Sequence, residues 1–320
     1  MKIVILDRST LGEDTPFDKI EALGTVTYYD NSTEGEISER IFDADVIIVN
    51  KIRITREIIE NAKSLKLICV FATGYDNIDI SAAREFSVGV CNVPGYSTES
   101  VTLFTVATAL SLVTHLREYN DYVTSGEYSR GNSANRLVPI YNEIYGKMWG
   151  IIGYGNIGRA VGRVAEALGA RVIVNKRTKD DSCECVTLDE LCRRSDIITI
   201  HCPLSDETRG MINNERIGLM KSSVIIVNSA RGAVVDEKAV AKAILDCRIG
   251  GFGCDVYSTE PFSHDHPYTA IMKHENVLLT PHAAWGAYEA RERCASVIAD
   301  NIKAYFNGKI LNRVEITGQN

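Results

Sequence analysis

A chain of 320 residues, 45% of them hydrophobic and carrying a formal charge of −7, is long enough to bury roughly three quarters of its unfolded surface and to divide into about two domains. An acidic balance with no block of basic residues excludes the electrostatic footprint of a nucleic-acid or anionic-membrane binder. No apolar run approaches the roughly 18 residues of a membrane span, and MKIVILDRST enters a strand directly without signal-peptide organisation, so a cytoplasmic protein with no membrane partner is expected.

Apolar runs alternate with helical patterns from the start: KIVIL at 2–6, DVIIV at 45–49 and LKLICVF at 65–71, with TREIIENA at 55–62 between the last two. Runs that are apolar throughout are strands of a parallel sheet covered on both faces. The pattern at 97–119 predicts one long helix, and the polar stretch after it, to residue 146, is long enough to be functional or an interface arm. A second series of strands follows at 148–153, 170–175, 195–201, 222–229, 249–255 and 275–280, and GAYEARERCASVIADNIKAYF at 286–306 predicts one amphipathic helix. The expected architecture is α/β: two doubly wound parallel-sheet domains with a cleft between them, one formed by residues 1–98 plus 286–320 and the other by residues 99–285.

The segment GIIGYGNIG contains GxGxxG as Gly153, Gly155 and Gly158, after a strand and opening a helix. The first glycine permits a tight turn, the second lets the backbone approach a pyrophosphate, and the third lets helix and strand pack closely. Alone the pattern is weak; between two strands of a βαβ unit it predicts dinucleotide binding. The end of the second strand, where an acidic residue usually meets the ribose of NAD, reads Asn175-Lys176-Arg177. Two cations and no carboxylate welcome a 2′-phosphate, which favours NADP(H); if both simply face water, NAD(H) serves as well.

Nine cysteines, an odd number scattered through apolar runs, predict reduced buried thiols rather than a disulfide framework. Cys183 and Cys185 lack further metal ligands nearby and read as an exposed polar loop, and His264 and His266 as a solvated loop. No metal site is expected.

Ligands of open α/β sheets bind beyond the carboxyl ends of the strands. Arg231, Asp255 and His282 all stand at such ends. A guanidinium grips a carboxylate through two parallel hydrogen bonds and polarises an adjacent keto oxygen, a role that suits Arg231. Reducing a carbonyl needs a proton on oxygen, and His282 is the candidate donor. Glu260 is the carboxylate chosen to orient that ring and favour imidazolium; its alternative is an exposed loop glutamate.

The segments ATGYDNID (72–79), NVPGYSTESV (92–101), GIIGYGNIG (150–158), HCPLSDETR (201–209), NSARG (228–232), DVYSTEP (255–261) and TPHAAW (280–285) together resemble the successive motifs of the D-isomer-specific 2-hydroxyacid dehydrogenases. The resemblance spans essentially the whole chain. It implies a flavodoxin-like substrate domain, a Rossmann cofactor domain, and Arg231, Glu260 and His282 as the catalytic set. Asp255 would hold the nicotinamide carboxamide. The remaining cofactor contacts would come from Tyr154, Asn156 and Ile157 in the glycine loop and from His201, Cys202, Pro203 and Ala230. Substrate would meet Asn50, Thr73, Gly74, Tyr75 and Arg231, with Trp285 walling the pocket, and the arm near 120–145 would form a homodimer. Val49-Asn50-Lys51 and the Pro281–Trp285 stretch place the resemblance closest to the glycerate dehydrogenase and hydroxypyruvate or glyoxylate reductase branch. Glu260 disfavours formate dehydrogenases, which pair their histidine with glutamine, and the end at residue 320 leaves no expected regulatory domain. Thr102-Leu103-Phe104 departs from the glutamate and histidine of many relatives. The expected reaction is reduction of a small 2-keto acid to the D-hydroxy acid. A nucleotide-sensing, corepressor-like binding protein with vestigial catalysis is the alternative, and turnover discriminates the two.

Overall fold

The computed structural model describes residues 1–178 and 182–317. The chain divides into two compact units, Met1–Ser97 with Gly286–Asn320, and Thr98–Trp285. The first crossing falls one residue before the expected boundary, where the helix Thr98–Val113 begins.

In the first unit, β1 (Lys2–Ile5), β2 (Thr25–Tyr28), β3 (Val46–Val49), β4 (Leu67–Val70) and β5 (Gly89–Cys91) form a parallel sheet in the order β2-β1-β3-β4-β5, the flavodoxin-like arrangement. Every residue of β3 and β4 is buried, which is why these runs carry no alternation. Strand periodicity still sorts them, since Ile47, Val49, Ile68 and Val70 join one core cluster with Val4, Leu6 and Val90. The helix Tyr288–Phe306 packs against β4 and β5. The chain then returns to the sheet edge, where the buried Glu315 carboxylate accepts the Val90 amide at 2.8 Å.

The second unit contains β6 (Met148–Ile152), β7 (Arg171–Asn175), β8 (Glu184–Cys185), β9 (Ile197–Ile200), β10 (Ile225–Asn228), β11 (Gly251–Cys254) and β12 (Val277–Leu279). All pairings are parallel, in the order β8-β7-β6-β9-β10-β11-β12. Neighbouring residues go to opposite cores. Ile151, Ile197 and Ile225 pack with Trp149, Leu112 and Val161, whereas Ile152, Ile198 and Ile226 pack with Val240, Ile244 and Phe252. Both faces are thus covered, as two doubly wound sheets require. The strand order reverses beside β6, and the carboxyl ends around that reversal carry the polar residues of interest.

The pattern at 97–119 is two helices rather than one. Thr98–Val113 and Leu116–Thr124 are bent by 65°, because His115 between them takes a left-handed conformation with φ 51°. No single helix among the described residues is long and apolar enough to cross a membrane. Cys183 and Cys185 do not lie in an exposed loop. Cys185 belongs to β8, paired with Val174, and both thiols are half-buried against the core that contains Val174. The arm after Thr124 leaves Leu137, Ile140 and Tyr145 75%, 80% and 80% exposed.

Ile198 is fully buried and Leu103 is 71% exposed. Ile198→Ala is therefore expected to destabilise the protein by about 2–5 kcal/mol and Leu103→Ala by less than about 0.5 kcal/mol, read as shifts in chemical-denaturation midpoint.

Candidate active site

The glycine loop follows β6 directly. Gly153 has φ +87°, and a Cβ there would lie 2.5 Å from the Cys202 amide nitrogen, so both turn and neighbour demand glycine. At Gly158 a Cβ would stand 2.2 Å from the Gly153 carbonyl oxygen; the first turn of the helix Asn156–Ala167 presses on the strand end. Gly155 meets nothing within 4 Å, leaving backbone open at the N-terminus of a twelve-residue helix. Two glycines allow packing and one leaves an approach, which fits a pyrophosphate at a helix N-terminus.

At the end of β7, the Asn175 amide donates to the Val186 carbonyl at 3.0 Å. Lys176 is half-buried and Arg177 exposed. Beyond β9, both imidazole nitrogens of His201 are inaccessible and have no hydrogen-bond partner, although the residue as a whole is half-buried. Burial pushes its pKa down to about 3, so the ring is neutral. Cys202 follows, its thiol 3.8 Å from the Met211 sulfur and pushed up to about 11 by burial.

Beyond β10 the fully buried Asn228 folds the loop: its amide donates to the Arg231 carbonyl at 3.0 Å and its oxygen accepts from the Ala230 amide at 3.1 Å. Arg231 leaves this turn half-buried, with Nη1 donating to the Ala230 carbonyl at 2.9 Å. A Cβ on the next residue, Gly232, would overlap the backbone of Tyr257 and Ser258 at 1.9 and 2.2 Å. The arginine turn thus lies flush against the segment that contains Glu260.

His282 Nδ1 lies 2.6 Å from Glu260 Oε2, and the other Glu260 oxygen accepts the Tyr257 amide at 3.0 Å. Glu260 is therefore the partner of His282 and no isolated loop residue. Both side chains keep about a quarter of their surface, 25% for His282 and 27% for Glu260. His282 has φ 53°, a conformation that an L residue adopts only under constraint. The constraint is Asp255, which is buried at the end of β11. It accepts the Ala283 and Ala284 amides at 2.8 and 2.9 Å and the Thr280 hydroxyl at 2.7 Å. Sequence reasoning placed Asp255 against the cofactor; in the structure its carboxylate first shapes the loop that presents His282.

In the first unit, Asn50 and the 73–75 loop follow β3 and β4. Asn77 joins them, its amide reaching the Asn50 and Ile52 carbonyls at 3.3 and 2.7 Å. The buried Asp7, its carboxyl pushed up by burial, accepts the amides of Asn50, Lys51 and Ile52. The Thr73 hydroxyl donates to the Val93 carbonyl at 2.9 Å. Tyr75 and Gly74 are half-buried, as is Trp285 in the second unit. Asp7, Asn77 and Asn228 escape sequence reasoning, because each acts on backbone distant from it or hidden by an ordinary turn pattern.

His266 departs from the expected solvated loop. Its side chain is only 7% exposed and its Nε2 is 3.0 Å from Glu237; His264 is exposed. No group of three metal-competent side chains occurs among the described residues.

Residues 106–284 match the family described as D-isomer specific 2-hydroxyacid dehydrogenase, NAD binding domain. The chain belongs to the D-isomer-specific 2-hydroxyacid dehydrogenases. It is 36% identical to a hydroxypyruvate reductase of Blautia hydrogenotrophica, over 98% of this chain and 99% of that protein. It is 34% identical to a glycerate dehydrogenase of Methylorubrum extorquens, with the same coverage. A solved D-lactate dehydrogenase of Aquifex aeolicus, in complex with NAD and lactic acid, superposes with a TM-score of 0.86 at 29% identity, covering 100% of this chain and 98% of that one. The chain is accordingly a dehydrogenase of CH–OH donors that uses a nicotinamide cofactor.

Two outcomes follow for this dehydrogenase. Between pH 6.5 and about 3 the unfolded chain protonates His201 while the folded chain does not. The contribution of this group to stability is therefore complete above pH 6.5 and falls on acidification by about 1.4 kcal/mol per pH unit. His201→Leu is expected to flatten the decline of the unfolding midpoint between pH 6.5 and 4.5; a slope equal to the wild type's counts against a neutral buried ring. Asp255→Asn, which puts an NH₂ in place of one of the two oxygens that now accept from two amides and a hydroxyl, is expected to lower kcat on the order of 100-fold, measured by steady-state kinetics at saturating cofactor.

Proposed function

We propose that the chain reduces a small 2-keto acid of the hydroxypyruvate or glyoxylate type to its D-2-hydroxy acid, with NADPH preferred over NADH. The observation that carries this reading is the 2.6 Å His282–Glu260 contact, presented by the same sheet that holds the glycine loop and Arg231. The substrate class follows the relatives, named for hydroxypyruvate and glycerate.

With Nδ1 of His282 held by Glu260 at 2.6 Å, Nε2 would be the ring atom that passes the proton to the carbonyl oxygen, and the carboxylate fixes the orientation of the ring. Arg231 supplies a fork for the substrate carboxylate and polarises the keto group. The bound cofactor would supply the hydride to carbon. Gly153, Gly155 and Gly158 with Tyr154, Asn156 and Ile157 would hold its pyrophosphate, and His201, Cys202, Pro203 and Ala230 would line its path. Asp255 would add a contact to the nicotinamide carboxamide while clamping the His282 loop. Asn50, Thr73, Gly74, Tyr75 and Trp285 keep the substrate-binding roles that the family implies.

The preference for NADPH rests on Lys176 and the exposed Arg177 at the end of β7, where the Asn175 amide is already engaged by Val186. The exposed Leu137, Ile140 and Tyr145 of the arm support a homodimer, since such side chains gain from cover. Nine free cysteines suit a reducing, cytoplasmic compartment. The corepressor-like alternative gains no support from relatives named as reductases and dehydrogenases.

The deciding measurement is oxidation of NADPH and NADH with hydroxypyruvate, glyoxylate, pyruvate and bulkier 2-keto acids. The reading stands if the two smallest polar acids give the highest kcat/KM, and absence of turnover across the panel overturns it. His282→Ala is expected to lower kcat by about 10²–10⁴-fold with little change in cofactor affinity, and Arg231→Ala to raise the substrate KM as well. The double change Lys176→Ala, Arg177→Ala should reverse the NADPH:NADH ratio of kcat/KM.

A further inference from the structure

Beneath the Glu260 segment lies a second carboxylate–histidine pair that the proposed chemistry does not use. Glu237 opens the helix Glu237–Leu245, whose start is capped by Asp236 accepting the Lys238 and Ala239 amides. Its side chain is 11% exposed and that of His266 is 7% exposed. One Glu237 oxygen accepts the Ser258 amide at 2.9 Å; the other accepts the Ser258 hydroxyl at 2.5 Å and lies 3.0 Å from His266 Nε2. His266 Nδ1 accepts the Tyr268 amide at 3.2 Å, which places the ring proton on Nε2 and makes it a donor to Glu237. The carboxylate thus collects three donors, two of them from a single residue of the loop.

That residue stands between Tyr257, whose amide fixes Glu260, and Glu260 itself. The Tyr257 ring is held in turn by Phe262, His266 and Tyr268 at centroid distances of 4.8, 6.1 and 6.2 Å. Gly232, next to Arg231, packs on the backbone of Tyr257 and Ser258 without room for a Cβ. A shift at Ser258 would therefore reach Glu260 through Tyr257 and Arg231 through Gly232.

We propose that Glu237, backed by His266, is a positioning residue for the reaction: through Ser258 it sets the placement of both Glu260, the partner of His282, and Arg231. The inference rests on the assignment of those three residues to catalysis, and its test carries a readout independent of turnover. Buried charges with several donors hold geometry well, and misplacement of a reacting group by about 1 Å costs on the order of 100-fold in rate.

Glu237→Ala and Glu237→Gln would be compared with the wild type. Amide exchange at Tyr257 and Ser258 and the ¹⁵N signature of the His282 tautomer report the placement; kcat and KM with hydroxypyruvate report its consequence, and the thermal unfolding midpoint reports folding. For Glu237→Ala we expect at least tenfold faster exchange at both amides, loss of the single Nδ1–H tautomer at His282, and kcat lowered on the order of tenfold to 100-fold with cofactor KM within twofold. Glu237→Gln, which keeps an acceptor for Ser258, should recover most of the exchange protection and of kcat. Unchanged exchange and tautomer in a folded Glu237→Ala protein overturn the inference. If the wild type turned over no keto acid, the proposed function would fail while exchange and tautomer still decided the positioning.

Discussion

The 2.6 Å contact between His282 and Glu260 depends on a backbone that would not adopt its shape unaided. A left-handed residue with a Cβ costs roughly 1–2 kcal/mol, and His282 sits at φ 53°. The buried Asp255 offsets that cost with three donors on one carboxylate, two of them the amides that immediately follow His282. Hydrogen bonds to an ionised acceptor are each worth about 1.5–3 kcal/mol, so the balance favours the strained loop. Remove the carboxylate and the ring loses the direction from which Glu260 can meet it.

The sheet makes such a loop affordable by supplying rigid ends. Because all seven strands of the second unit run parallel and are covered on both faces, their carboxyl ends emerge on one edge. Glycine then lets neighbouring ends touch. The helix start presses on the strand end at Gly158 and Gly153, and the arginine turn presses on the Tyr257–Ser258 backbone at Gly232. These two contacts leave no room for even one carbon, so the nucleotide loop and the catalytic segments are located by backbone contact before any charged side chain is considered.

Much of this was legible in the sequence. Uninterrupted runs such as Val46–Val49 and Ile197–Ile200 announce strands buried on both faces, and the spacing of Gly153, Gly155 and Gly158 announces the loop. Arg231, Asp255 and His282 betray themselves by following apolar runs. What was hidden is long-range. Glu237 opens an ordinary helix and His266 lies in a polar stretch, and nothing local says that they meet across 29 positions. Asp7 reaches backbone 43 to 45 positions away. The break at His115 was missed because residues 97–119 keep a helical composition throughout; only the left-handed conformation of one residue redirects the chain. Cys185 was misread because a two-residue edge strand is too short to show a period.

Burial separates the acidic groups by task. Asp255 is buried, and Glu237 nearly so; both direct their oxygens to backbone amides and hydroxyls, with His266 as the one ring among Glu237's donors. Glu260 and His282 keep about a quarter of their side-chain surface, and Arg231 is half-buried. A buried carboxylate ringed by donors is held fixed, because any movement leaves a charge unsatisfied in a poor solvent. A reacting group needs the opposite, enough exposure to reach a substrate and to exchange its proton. Placing the fixed charges one layer beneath the exposed ones gives the reacting groups accessibility without freedom, and each buried anion does so through the backbone rather than by touching the groups that react.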